Sequence, residues 1–449
     1  MKTPKILIGA GGTGGHLFPA MAVATAIKKL CPEAQILFAG VGRPAEGNLL
    51  DAAGWDRVVL AGKGFKGVSK LAKVKALIMA VWGFFQAILV IWRFKPTVFF
   101  GAGSYVAGPV GLAAYLNFKP LALHEQNSRP GLTNRLLAKL AKIVFVGFPK
   151  GVEAFPKGKA VLTGNPIRPE IAALYGQKKN YNPHGPLYLL FLGGSQGSNR
   201  VNTVAMEVVA ALAKAHVDFE VFHQTGVKGE GLIKTFYNRL GVRHETKAFF
   251  SDPERLYAKA HLGVTRAGAL TVTELAAVGL PAILIPLPSA ADDHQTINAQ
   301  GLAALGAALV KPETELYDIV TVVKRLVEDP HKLNSMSGLG RSLVNLEAAT
   351  VMATHLLRLS GWAPPAGQPL ASNPLASDPS AGNPSASDPL ASNPLASNPL
   401  ASNPSVSNPL ESKPSASKPT ESNPSESKPS ASNPLESKPV NLSKDDYVS

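Results

Sequence analysis

The sequence predicts an α/β protein built from two doubly wound, Rossmann-like domains that face one another across a cleft, followed by a disordered C-terminal tail. Three observations lead there. Short β-rich runs alternate with helical stretches through two successive halves of the chain; each half opens on a strand, a glycine-rich turn and a helix; and a five-residue proline repeat closes the chain. Such alternation builds parallel sheets from βαβ units, whose ligands sit beyond the carboxyl ends of the strands.

In the first half, strands are expected near 5–9, 35–39, 97–100 and 120–123. The first runs into Gly11-Gly12-Thr13-Gly14-Gly15-His16, then a helix with Pro19 in its first turn. The second half repeats the plan with strands near 187–192, 218–223, 261–264 and 282–286. Its first strand enters Gly193-Gly194-Ser195-Gln196-Gly197, with a helix from about Asn199. Pro166, Pro169, Pro183 and Pro186 cluster between the halves and put the boundary near 165–185. The expected divisions are 1–165, 166–345, a helix over 346–362 crossing back to the first domain, and the repeat over 363–449.

In that repeat, proline recurs every fifth residue from Pro364 to Pro439, sixteen in all, in units such as Leu-Ala-Ser-Asn-Pro. With few large apolar residues it cannot bury enough surface to offset chain entropy of roughly 1 to 2 kcal/mol per residue, so disorder is expected. The rest of the chain is well supplied: 45% of 449 residues are hydrophobic, ample for more than one core. A single cysteine, Cys31, rules out an intrachain disulfide framework and a cysteine-cluster metal site, and fits a reducing compartment. Met1 to Ala10 lacks the charged start and cleavage site of a signal peptide, so the cytosol is expected.

Net charge is +14; five lysines against eight acidic residues leave the tail at −3 and residues 1–362 at +17. No acidic residue lies between Asp56 and Glu125, while nine Lys and Arg do. Inside that window runs Ala76 to Trp92, polar only at Gln86. One-sided charge beside apolar and aromatic residues points to an anionic bilayer, with Lys70, Lys73, Lys75, Leu77, Ile78, Trp82 and Phe85 as the residues that meet it. A transmembrane helix is a competing reading, since 17 apolar residues reach the lower limit for spanning. It would strand the first βαβ units across the bilayer from the loops they assemble with, so a helix lying in the interface is favoured. A buried helix of the first domain is the other alternative; it explains the apolar run but not the missing carboxylates. Nucleic acid is not expected as a partner, because no helix-turn-helix, zinc-finger or RNA-binding aromatic motif accompanies the charge.

The strings GGTGGHLFPAMAVA at 11–24, GAGSYVAGPVGLAA at 101–114, HEQNSRPGLTN at 124–134, GNPIR at 164–168, GGSQGSNRVN at 193–202, RAGALTVTELAAVGLPAILIP at 266–286 and DDHQTINA at 292–299 closely resemble the MurG family. The match runs in order over about residues 5–360. The resemblance implies the GT-B fold and inverting transfer, with no cofactor or metal, of N-acetylglucosamine from UDP-N-acetylglucosamine to the muramyl 4-hydroxyl of lipid I, forming lipid II. The first domain would then bind acceptor and membrane, and the second the UDP-sugar. The location implied is peripheral, on the cytoplasmic face of the inner membrane, with its anionic inner leaflet and cell-wall or division proteins as further partners. A diacylglycerol-type UDP-sugar transferase of the same architecture is the nearest competing reading, against which HEQN and GGTGGH count. A non-catalytic membrane-bound UDP-sugar sensor would be expected to have lost its acceptor-side residues, and His16, Glu125 and Asn127 are all present.

Transfer needs a stabilised leaving diphosphate and a deprotonated acceptor hydroxyl. No Asp-x-Asp metal motif occurs in the chain, so backbone dipoles must serve the diphosphate. Ser195, in a glycine turn before a helix, suits phosphate oxygens, although such turns also serve tight packing alone. Arg168 would add a cation by resemblance; an isolated Arg in a linker is otherwise a solvated charge. Thr271-Val272-Thr273-Glu274 matches a capping box, in which Glu274 bonds back to the Thr271 amide. The resemblance instead gives Glu274 both ribose hydroxyls, places Ala269, Leu270, Thr271, Val272 and Thr273 along the nucleotide pocket, and has Phe250 contact uracil through its backbone. Gln295 would read donor-sugar hydroxyls, as an amide that both donates and accepts. Thr13, Gly14, Gly15 and Asn127 would approach the donor sugar. His16, at a helix N-terminus that disfavours its charged form, is a candidate base; otherwise it packs or caps a turn. Glu125 is the rival base. Tyr105 is either a cleft residue or a structural aromatic beside a turn.

Overall fold

A computed structural model describes residues 3–11, 14–62, 70–177 and 179–363. The expected tail, Thr13, and the side chains of Lys70, Lys73, Lys75 and Leu77 lie outside the described residues. Seven parallel strands form the first sheet: β1 (Lys5–Gly9), β2 (Gln35–Gly40), β3 (Arg57–Val59), β4 (Val98–Gly101), β5 (Leu121–Glu125), β6 (Ile143–Val146) and β7 (Ala160–Leu162), in the order 3-2-1-4-5-6-7. Six form the second: β8 (Leu187–Leu192), β9 (Phe219–Gln224), β10 (Arg243–Lys247), β11 (Leu262–Thr265), β12 (Ala282–Leu284) and β13 (Ala308–Val310), in the order 10-9-8-11-12-13. Strand order reverses beside β1 and again beside β8, and each reversal opens a crevice at the carboxyl end of the sheet. The glycine-rich turns follow those two strands.

The two-residue period of a strand divides each sheet's side chains between two cores. Ile6 and Ile8 join Phe38, Val98 and Phe100 beneath the helices Gly14–Leu30 and Ala348–Leu359. Leu7 points the other way, with Phe99, Leu123 and Val144, under Lys70–Phe94 and Ala107–Leu116. In the second sheet Leu189 and Phe191 meet the helices Asn199–Lys214 and Ile319–Glu328, while Leu190, Leu192 and Phe222 meet Ala269–Val278. Met352, Ala353, Leu356 and Leu357 of the last helix are fully buried in the core of the first sheet.

One local expectation is corrected, and the two rival readings of the apolar helix are set aside. Helix Gly14–Leu30 holds Pro19 as its sixth residue rather than in its first turn, where the ring removes the amide that would bond the Gly15 carbonyl. Helix Lys70–Phe94 is neither wholly buried nor a span. Ala76, Ala87 and Ile91 face the core, whereas Ile78, Trp82, Phe85, Leu89 and Trp92 are exposed. Gln86, the polar interruption, turns inward, its Oε1 accepting from the Ala61 amide at 2.7 Å. Among the described residues no helix is long and apolar enough to cross a membrane.

Candidate active site

A cavity of about 850 Å³ opens between the carboxyl ends of the two sheets. Twelve residues singled out from sequence line it: Gly14, Gly15, His16 and Asn127 from the first half, Arg168 from the connection, and Ser195, Phe250, Ala269, Leu270, Thr271, Glu274 and Gln295 from the second. Glu125, Val272 and Thr273 do not.

The turn after β8 is shaped by close backbone approach. A Cβ on Gly197 would lie 2.3 Å from the Thr225 carbonyl oxygen, and Gly197 adopts φ +76°, so only glycine fits. The Gly194 carbonyl is held by the Gly197 amide at 3.1 Å and by Gln224 Nε2 at 3.0 Å. Ser198 then caps helix Asn199–Lys214, its hydroxyl accepting from the Val201 amide at 3.3 Å. The positive end of a 16-residue helix and an exposed Ser195 therefore meet at the cavity, an arrangement suited to an anion.

The capping-box reading of Glu274 fails. The N-cap of helix Ala269–Val278 is Gly268, so Thr271 is the third residue of the helix and not the N-cap that a capping box with Glu274 requires. Glu274 Oε1 instead accepts from Arg168 Nη2 at 3.1 Å, and Oε2 from the Tyr257 hydroxyl at 3.0 Å. Burial raises its pKa above the ordinary carboxylate value, and the Arg168 cation with these two bonds opposes the rise. The Arg168 guanidinium also lies 4.6 Å from the centre of the Phe18 ring, and its Nε is buried with no hydrogen-bond partner among the described residues. It is no solvated surface charge. Val272 is buried in the core, and Thr273 spends its hydroxyl on the Ala269 carbonyl and the Asn165 side chain, so the pocket takes only the first turn of this helix and Glu274.

Two further assignments narrow. Gln295 Oε1 accepts from the Ala267 and Leu287 amides at 3.3 and 3.0 Å, which fills both lone pairs. A sugar hydroxyl can meet only its NH₂ donor. Phe250 donates its backbone amide to Gln224 Oε1 at 3.0 Å, so of its two backbone polar groups only the carbonyl is left for the uracil contact that the resemblance implies.

On the acceptor side His16 Nδ1 lies 3.2 Å from Gln126 Oε1. Burial lowers its pKa, chiefly against the raising influence of Glu125 and Gln126, and His294 across the cleft lowers it further. Burial is thus the main influence favouring the neutral imidazole. Glu125 has another task. Its Oε1 accepts from the Asn127 amide and side chain, and its Oε2 from the Gly131 amide and Asn134 Nδ2, at 2.9 to 3.2 Å. Four donors commit the carboxylate to the loop that carries Asn127, so it is not placed as a base. Tyr105 accepts from Arg43 Nη2 at 2.9 Å and does not line the cavity.

Sequence reasoning passed over Gln126, Gln224, Tyr257 and Asn298. Gln126 and Asn298 lay inside quoted motifs as polar residues with no assigned task. Asn298 is fully buried and joins the two halves, accepting from the Ser128 amide at 2.9 Å and donating to Asn127 Oδ1 at 3.2 Å. Tyr257 had no signal beyond being an aromatic in a helical run.

Residues 6–146 match the glycosyltransferase family 28 N-terminal domain, and residues 188–343 its C-terminal domain. The UDP-N-acetylglucosamine--N-acetylmuramyl-(pentapeptide) pyrophosphoryl-undecaprenol N-acetylglucosamine transferase of Coxiella burnetii is 39% identical over 348 residues, 77% of this chain and 95% of that protein. The protein of the same name from Geotalea uraniireducens is 37% identical over 79% of this chain and 98% of its own. The crystal structure of Acinetobacter baumannii MurG superposes with a TM-score of 0.62 at 29% identity, covering 79% of this chain and all of that one. S. aureus MnaA bound to UDP, at 15% identity and a TM-score of 0.60, shares the fold.

Proposed function

The chain belongs to glycosyltransferase family 28, among the MurG enzymes, and we infer from that membership and from its cleft that it transfers N-acetylglucosamine from UDP-N-acetylglucosamine to lipid I, making lipid II for peptidoglycan. The fold is GT-B: two Rossmann-like halves with the cavity between them. One observation carries the reading. A glycine turn leading into a helix and a buried carboxylate from one sheet share a single cavity with a histidine from the other.

In this reading UDP lies along the second sheet. Glu274 accepts from the ribose hydroxyls, the Ser195 turn and the end of helix Asn199–Lys214 take the diphosphate, and Arg168 adds its charge. His16 removes the proton from the acceptor hydroxyl as that oxygen attacks the anomeric carbon. The bond from that carbon to the diphosphate oxygen breaks, and its electron pair leaves with UDP. A single displacement inverts the anomeric configuration. No metal is required in this scheme, because fixed dipoles and Arg168 stabilise the leaving group. The exposed apolar face of helix Lys70–Phe94, within a stretch without carboxylates, supports docking on the anionic cytoplasmic leaflet where the lipid-linked acceptor lies.

The test is transfer of label from UDP-N-acetylglucosamine to a short-chain lipid I analogue with a chelator present. Labelled disaccharide product is expected. A glycolipid formed from diacylglycerol, with no product from the muramyl lipid, would refute the reading, and activity abolished by chelation would refute its metal-free chemistry.

A further inference from the structure

Gln126 directly follows β5, in a position that leaves its side chain no choice of orientation. One amide atom lies 2.7 Å from the Ala102 carbonyl oxygen, an acceptor only, so that atom must be the Nε2 donor. The second Nε2 proton points to His124 Nδ1 at 3.2 Å. Oε1 is then the atom 3.2 Å from His16 Nδ1, and it can only accept. The proton of a neutral His16 must therefore sit on Nδ1, leaving the lone pair on Nε2. Glycine at 103, at φ +83°, leaves the ring the room it needs: a Cβ there would lie 2.6 Å from His16 Nδ1.

The anchor continues inward. His124 is fully buried, and because its Nδ1 accepts from Gln126 its Nε2 carries hydrogen. Asn165 is the side chain that interacts with this imidazole, and His124 Nε2 and Asn165 Oδ1 are both buried with no hydrogen-bond partner among the described residues. Asn165 Nδ2 is spent on the Gln126 carbonyl at 3.0 Å and on Thr273 Oγ1 at 3.1 Å. The amide that orients the histidine is thereby tied to the helix that carries Glu274.

We propose that Gln126 is a positioning residue for glycosyl transfer: anchored by Ala102 and His124, its amide holds His16 in the Nδ1–H tautomer and presents Nε2 as the basic nitrogen. Its bearing on catalysis rests on His16 being the base; its bearing on the tautomer does not. An amide in this place orients the ring without adding a full negative charge. The titratable groups facing His16 are Glu125 at the end of β5, buried His124, and His294 across the cleft.

Two-bond ¹H–¹⁵N correlation spectra of the ¹⁵N-labelled full-length protein read the tautomer directly, with the His16 ring identified by its loss in His16→Ala. The wild-type ring should carry its proton on Nδ1. Gln126→Leu should shift the population toward Nε2–H and lower kcat about 10- to 100-fold, less than the 10²- to 10⁴-fold of losing a general base, with KM for the donor nearly unchanged. Gln126→Glu places a carboxylate beside Nδ1–H, so the acid limb of kcat/KM should move to higher pH. A wild-type spectrum with the proton on Nε2 overturns the proposal, leaves the transfer reaction standing, and needs no variant to fold. Gln126→Leu with wild-type kcat overturns it too. Full turnover in His16→Ala would instead remove the base role, overturning the catalytic half while the tautomer stands on the spectrum alone.

Discussion

The Glu274 carboxylate uses one lone pair on each oxygen inside the protein, for Arg168 and for Tyr257, and keeps one on each for a ligand. Two free acceptors about one carboxylate apart suit a vicinal diol. Replacement by Gln should weaken UDP binding by about 1.5–3 kcal/mol, the worth of hydrogen bonds to a charged group, measured by calorimetry. Because burial raises the Glu274 pKa, donor affinity should fall with acid sooner than for an exposed glutamate. Tyr257→Phe removes a bond that favours the ionised form, so that loss should begin at still higher pH; an unchanged affinity profile would contradict the arrangement. His16→Ala should cut kcat about 10²- to 10⁴-fold with far less effect on donor affinity, and kinetics showing the reverse would move the base elsewhere.

Helix Lys70–Phe94 shows the same logic one level up. Ile78, Trp82, Phe85, Leu89 and Trp92 follow one another at steps of four and three, which sets them on one face, and all are more than half exposed. Burying a Phe contributes about 1.5–3 kcal/mol, so the double change Trp82→Ser and Phe85→Ser should lower partition onto anionic vesicles about 100-fold in co-sedimentation. UDP affinity should be untouched, since neither side chain lines the cleft. Elsewhere, β10 is clamped to helix Pro253–Lys259 by Arg255, whose two terminal nitrogens each lie 2.8 Å from Glu245. That pair, helped by Lys247, lowers the Glu245 pKa from 4.5 to about 2. A depressed carboxylate pKa adds stability that is present above the unfolded value and is lost as pH falls from about 4.5 through about 2. Arg255→Met should thus lower the Tm at pH 7, by a margin that shrinks toward pH 2; a constant margin would show that packing, not charge, holds the clamp.

Across the whole molecule, the halves are joined by buried polar links as well as by the more exposed Arg135–Asp292 ion pair. Asn298 bonds Asn127 and Ser128, Asn165 bonds Thr273, and Asn345 donates to the Thr163 carbonyl. All three asparagines are at most 5% exposed. Removing residues 364–449 touches none of these links, so turnover should be retained; a collapse would give the repeat a task in catalysis. Most of the central apolar strands were legible beforehand, because a run such as Leu187–Leu192 needs no partner to declare itself; β6, which reads Ile-Val-Phe-Val, was passed over. Of the five strands left unassigned, β3, β7, β10 and β13 are the sheet edges, three to five residues long, and β10 reads Arg-His-Glu-Thr-Lys. The other three, Arg-Val-Val, Ala-Val-Leu and Ala-Leu-Val, are too short for a two-residue period to show. Apolar periodicity and glycine turns, which are local properties, determined from the sequence alone where the two sheets run and which loops flank the cleft. Which polar atom meets which was decided only by tertiary structure. The donors and acceptors around Glu125, Gln295, Glu274 and His16 come from segments up to about 110 residues apart, and a hydrogen bond depends on ångström placement that packing alone supplies.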